Sequence, residues 1–226
     1  IALSGRWGTG KSHLWADVQK SSQDKKVKDA LYISLFCLAS MDQVKIKMLQ
    51  SSIPIDTNNP GMVDNLKNIL GKGFKALEGW HNGFKVLAAI GDLALLLTPT
   101  YLGNKVIVLD DIERKHDKLV VLELLGFIEE FTQRHGACFV LILNTDDLDD
   151  IDIWKTLREK VIDVEFKLNT TPDEAFDIAN SITPSQYATT IRAAVLECGL
   201  TNIRIIRKVI RSVNRILGDR KDLSDA

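Results

Sequence analysis

Apolar residues are distributed along the chain in two textures. Short, nearly continuous apolar runs occur at Ile1-Ala2-Leu3, Ala30 to Phe36, Val106 to Leu109, Ala137 to Leu143 and Val161 to Leu168. Runs of this length, rich in β-branched residues, read as strands buried on both faces of a parallel sheet. In the fifth run Val164, Phe166 and Leu168 alternate with polar residues. Between the runs, apolar residues recur at helical spacing. The predicted helices are Lys11 to Lys20 with Leu14, Trp15 and Val18 on one face; a helix opened by the capping box Ser40-Met41-Asp42-Gln43, with Val44, Met48 and Leu49 inward; Met62 to Leu77, after a polar loop at Pro54 to Gly61; Lys118 to Gln133, with Leu119, Leu122, Leu125, Phe127 and Phe131 apolar; and Ile151 to Lys160. Strands alternating with helices predict an α/β fold, a five-stranded parallel sheet wrapped by helices.

The alternation stops after Thr171-Pro172, where Thr171-Pro172-Asp173-Glu174 is a strong helix start, and the chain reads as helical to Leu217. Thr201-Asn202 supplies an N-cap, followed by an apolar stripe of Ile203, Ile206, Val209, Ile210, Val213 and Leu217. This divides the chain into a core, residues 1–169, and a C-terminal helical lid, residues 170–226. The most apolar stretch, Phe84 to Leu102, is interrupted by Lys85, Asp92 and Pro99. It reads as a buried or partner-facing helix and not as a membrane span.

Chemistry enters at the ends of the predicted strands. Gly5-Arg6-Trp7-Gly8-Thr9-Gly10-Lys11-Ser12 spells G-x-x-x-x-G-K-S between a strand and a helix, the context a phosphate-binding loop requires. Its glycines let backbone N–H groups converge on phosphate oxygens, and the following helix aims its N-terminus at the same anion. Lys11 is expected at the β- and γ-phosphates and Ser12 on Mg²⁺. Gly5, Gly8, Thr9, Gly10 and His13 complete the expected nucleotide contacts.

The strand Val106 to Leu109 ends in Asp110-Asp111, followed by Ile112-Glu113-Arg114. Asp110 is the expected Mg²⁺ residue. Asp111 is the candidate to orient or deprotonate attacking water, with Glu113 competing for that role. Asn144 follows the fourth run and would lie level with Asp110 if the two strands are parallel neighbours. It would fix the water or touch the γ-phosphate, or else simply end its strand. Arg204, in the first turn of the last helix, opposes the helix dipole, which a phosphate partner would explain; a solvated basic face with Arg207, Lys208, Arg211 and Arg215 is the alternative.

Composition changes this picture little. The chain has 226 residues, 45% hydrophobic and 26% charged, and a net charge of −1, so no global field recruits nucleic acid or an anionic membrane. Cys37, Cys138 and Cys198 are far apart and are expected as small core residues of a reducing compartment. The four histidines lack metal-ligand spacing. The near absence of residues before the loop suggests a domain excised from a longer protein.

The loop, Tyr32-Ile33-Ser34-Leu35-Phe36 and Leu109-Asp110-Asp111-Ile112-Glu113-Arg114 together resemble the KAP P-loop NTPases, a family of additional-strand NTPases related to AAA+ and STAND proteins. The resemblance implies a three-layer sandwich with sheet order 5-1-4-3-2, ATP rather than GTP as cofactor, Asn144 as sensor one and Arg204 as sensor two. It also implies an ATPase switch in a larger, phage-defence-type bacterial protein, assembling as a homo-oligomer or with an effector. Arg114 and Arg158 are candidates for an arginine finger. Many members carry membrane helices between the two motifs; with only the imperfect run from Phe84 here, a cytoplasmic location is expected.

Overall fold

The structure, a computed structural model, describes residues 1–52, 102–148 and 151–218. The expected loop at 54–61, helix at 62–77 and apolar run from Phe84 up to residue 101 lie outside these residues.

Five strands form one sheet: β1 (Ala2–Ser4), β2 (Leu31–Ser34), β3 (Val106–Asp110), β4 (Cys138–Leu143) and β5 (Glu165–Lys167). All pairings are parallel and the order is β2-β3-β4-β1-β5, the expected 5-1-4-3-2 read from the other edge. Alternation along the strands divides the core between two faces. Ile107, Leu109, Phe139, Leu141 and Leu143 belong to the larger cluster, which also takes in α3 (Met41–Ser52), α4 (Val121–His135) and Trp154 of α5 (Ile151–Val161). Val108, Val140, Ile142 and Leu3 meet Trp15 of α1 (Lys11–Ser21) on the other face. A short helix, α2 (Lys25–Lys28), leads into β2.

The C-terminal segment forms α6 (Pro172–Ile182), α7 (Ala188–Glu197) and α8 (Ile203–Leu217) around a separate cluster that includes Phe176, Ile191, Val195, Ile206 and Ile210. The expected capping box of α6 is present: Thr171 Oγ1 accepts from Glu174 N, and Glu174 accepts from Thr171 N.

Several expectations are corrected. Leu14 and Val18 are exposed, and the buried residues of α1 are Lys11 and Trp15; at about 100° of turn per residue Leu14 and Val18 both fall to one side of that line. α4 begins at Val121, so Leu119 is buried ahead of it, and Leu122 falls outside the stripe Val121, Leu124, Leu125, Ile128 and is exposed. β5 is shorter than its apolar run. As an edge strand paired only with β1, it leaves Val164 and Phe166 exposed. All three cysteines are exposed: Cys37 sits in a turn with φ +59°, Cys138 begins β4 and Cys198 caps the end of α7.

Candidate functional site

The phosphate-loop motif leaves β1 at Ser4 and enters α1 at Lys11. Gly10 is the N-cap in a left-handed conformation (φ +92°), with no side chain capping the helix. That leaves the first turn of α1 to meet an anion. The Lys11 ammonium lies back across the loop, donating to the carbonyls of Gly5 (2.6 Å) and Arg6 (2.9 Å). Burial lowers its pKa below the usual lysine value; Glu113 and Asp110 act against the shift, and Arg204 adds to it. An anion in the loop would favour the protonated form.

Opposite the loop stands the acidic motif. Ser12 Oγ donates to Asp110 Oδ2 at 2.6 Å. The other Asp110 oxygen accepts from the backbone N–H of Asp111 at 2.7 Å, and the Tyr32 hydroxyl also donates to Oδ2. Burial, followed by this bond to Asp110, pushes the Tyr32 phenol well above its usual pKa, so it stays a neutral donor. Asp111 has a left-handed backbone (φ +59°); its side chain accepts from Ser34 Oγ (2.7 Å) and lies 3.5 Å from Arg114. Arg114 in turn stacks 4.2 Å above the Phe36 ring. Glu113 bridges two elements: Oε1 accepts from the Trp7 indole N–H (2.7 Å), and Oε2 from the backbone N–H of Asn144 (3.1 Å).

Asn144 is buried at the tip of β4, but not level with Asp110. Leu109 registers with Leu141, so continuing the ladder places Asn144 two residues beyond the partner of Asp110. Its amide is used locally, donating to Asp147 and accepting from Asp146 N. His13 pairs loosely with Asp17 at 3.8 Å, beside the site. Arg158 pairs with Glu165 at 2.9 Å, on α5 and away from the loop.

The C-terminal helices reach the loop directly. Ile203 N donates to the Gly8 carbonyl (2.9 Å) and Asn202 Nδ2 to the Trp7 carbonyl (3.1 Å). A Cβ on Gly8, at φ +81°, would lie 2.0 Å from Asn202 Oδ1, so only glycine admits this approach. Lys11, Ser12, Asp110, Glu113 and Arg204 line one cavity of about 690 Å³, bounded on the lid side by Ile182, Ile203 and Ile205. The structure thus brings together Gly8, Gly10, Lys11, Ser12, His13, Asp110, Asp111, Glu113 and Arg204. Gly5 and Thr9 stand behind the loop, against Leu168 and Arg6.

Trp7, Tyr32, Ser34 and Asn202 are contacts that motif reading did not assign. The signal for two of them was present: Tyr32 and Ser34 place hydroxyls at alternate positions of a strand expected beside the acidic one.

The donor set suits a hard cation held against phosphate. Mg²⁺ takes oxygen ligands and commonly uses one or two carboxylates plus substrate phosphates. Ser12 and Asp110 supply a hydroxyl and a carboxylate in contact. Among the described residues no cluster of three or more His, Cys, Asp or Glu forms a self-sufficient metal cage, and no helix is long and apolar enough to cross a membrane.

No family model matches the chain, and no curated protein matches it. Among solved structures it is similar to Cdc6p from Pyrobaculum aerophilum, with a TM-score of 0.58 and 17% identity, over 96% of this chain and 55% of that one. The chain therefore spans about half the length of that protein. At this identity the likeness concerns the fold: a P-loop NTPase fold, with five parallel strands and flanking helices.

Proposed function

We propose that this domain binds ATP with Mg²⁺ and hydrolyses it. The observation that carries this reading is the Ser12–Asp110 bond, which joins the phosphate loop to the acidic strand in one oxygen-lined site beside the buried Lys11. Lys11 would give up its two loop carbonyls to hold phosphate, and Ser12 with Asp110 would hold the cation. Bound Mg²⁺ would neutralise phosphate charge.

Between the two candidate bases, the contacts favour Glu113. Both carboxylates carry two partners, but those of Asp111 are Ser34 of β2 and its neighbour Arg114, whereas those of Glu113 are Trp7 of the phosphate loop and the Asn144 N–H at the β4 tip, which sets Glu113 between the two polar edges of the site. Glu113 is proposed to orient the attacking water, with Asp111 shaping the turn that presents it. Arg204, in the same cavity, is proposed to meet the γ-phosphate and draw the lid inward. The similarity to KAP NTPases extends this to a switch within a larger defence-type protein that assembles when ATP is bound.

Calorimetry with ATP, ADP and GTP, with and without Mg²⁺, tests the binding reading, and phosphate release tests turnover. Absence of Mg²⁺-dependent ATP binding would sink it. A second reading, a nucleotide-dependent scaffold with little turnover, draws on the local engagement of Asn144 with Asp146 and Asp147. Tight binding with no measurable phosphate release would select it.

A further inference from the structure

The carboxylate of Asp110 is unusually well anchored. A carboxylate offers about four lone-pair sites. Three are taken by donors from three segments: the backbone N–H of Asp111 on Oδ1, and Ser12 Oγ with the Tyr32 hydroxyl on Oδ2. One site remains, on Oδ1. Tyr32 reaches Asp110 because β2 lies beside β3 in parallel, with Tyr32 opposite Val108 and Ser34 opposite Asp110. The two-residue offset is about 7 Å along the strand, a distance a phenol spans. Strand alternation puts Leu31 and Ile33 into the larger core and leaves Tyr32 for the α1 face, where Ser12 also lies. The contact is thus built by the sheet, and not by a loop.

We propose that Tyr32 is the positioning residue for the cation, fixing Asp110 so that its remaining lone pair faces the metal, and thereby setting how much divalent cation the site needs to hold nucleotide. This rests on the Mg²⁺–nucleotide reading above. Of the three donors, the Asp111 N–H is covalently tied to Asp110 and moves with it, and Ser12 has a second task at the metal. Tyr32 is the donor from an independent element, and its hydroxyl also meets Ser12, the other group expected at the cation.

The variant is Tyr32→Phe, which removes one oxygen from a partly exposed ring and keeps its packing. Wild type and variant are titrated with Mg²⁺ at fixed fluorescent ATP analogue, reading bound nucleotide and not turnover. Direct Mn²⁺ binding is followed by electron paramagnetic resonance. Removing a hydrogen-bond partner of a metal ligand typically weakens the metal by about tenfold or more, so the Mg²⁺ midpoint should rise by about that factor. Nucleotide affinity measured in chelator should be unchanged, since no phosphate contact is lost. An unchanged midpoint overturns the inference while leaving the nucleotide reading intact. A fall in chelator-measured affinity that accounts for the whole effect also overturns it, because Tyr32 would then only support β2. A wild type whose nucleotide binding ignores Mg²⁺ refutes the underlying reading instead.

Discussion

Desolvation of Lys11 has a consequence for pH. Because burial lowers its pKa in the folded chain, the unfolded chain holds more protons between that lowered value and the usual 10.5. Lys11 therefore makes the fold more stable as pH rises across this window. Anion binding works in the opposite sense, since it needs the ammonium. Nucleotide affinity should therefore fall as pH rises, beginning below 10.5. Calorimetry at alkaline pH in buffers of different ionisation enthalpy should show proton uptake on binding. Lys11→Ala should lose a charge-assisted contact worth about 2–4 kcal/mol. Trp7→Phe tests the bridge to Glu113: it should leave nucleotide affinity intact and slow single-turnover hydrolysis on the order of tenfold. A double-mutant cycle with Glu113→Gln should show the two losses to be strongly non-additive; full additivity would mean that the indole bond is absent from the working state. Lys11, Ser12 and Asp110 were legible because their motif spacing is local. The Trp7–Glu113 pair was not, because its members lie 106 residues apart and no local pattern encodes it; for Tyr32 and Ser34 the strand pattern offered the two hydroxyls but not their partners 78 and 77 residues away.

At the level of elements, the start of α8 is the part most exposed to test. Asn202 caps the helix by accepting from Arg204 N and Ile205 N, and it is bonded to the loop at the same time. Gly8→Ala would drive a methyl into Asn202 and strain a left-handed residue, a cost of about 1–3 kcal/mol. Amides at the start of α8 should then exchange faster while those of β3 and β4 do not. Arg204→Ala should leave ADP affinity nearly unchanged and abolish extra hydrogen-exchange protection across residues 172 to 217 with an ATP analogue. Equal protection with ATP analogue and ADP in wild type would make Arg204 a solvated surface residue. The buried Ile203, Ile206 and Ile210 were readable, since a helix stripe is a property of the segment itself. The exposure of Val164 and Phe166 was not: an apolar run does not say whether its strand stands at the centre or the edge of a sheet. The phase error at Leu122 has a similar root, in a helix start set by packing and not by a capping residue; the N-cap Val120 makes no side-chain cap bond.

At the scale of the molecule, core and lid have separate hydrophobic clusters joined through Thr170-Thr171-Pro172 and the loop contacts. The lid should open at lower free energy than the sheet, and native-state hydrogen exchange should resolve two levels, with residues 172–217 on the lower one. The change from strands to helices after β5 could be read from the sequence. The bond from α8 back to Gly8 could not, because nothing in either segment announces the other.

The three exposed cysteines give this architecture a practical use. Cys37 follows β2 and is tied to the acidic motif through its N–H bond to the Arg114 carbonyl, whereas Cys198 ends a lid helix. With Cys138 replaced by serine, the chain carries one native attachment point for a dye beside the sheet and one on the C-terminal helices. Energy transfer between fluorophores at Cys37 and Cys198 would then follow lid closure in single molecules, without adding any foreign residue near the nucleotide.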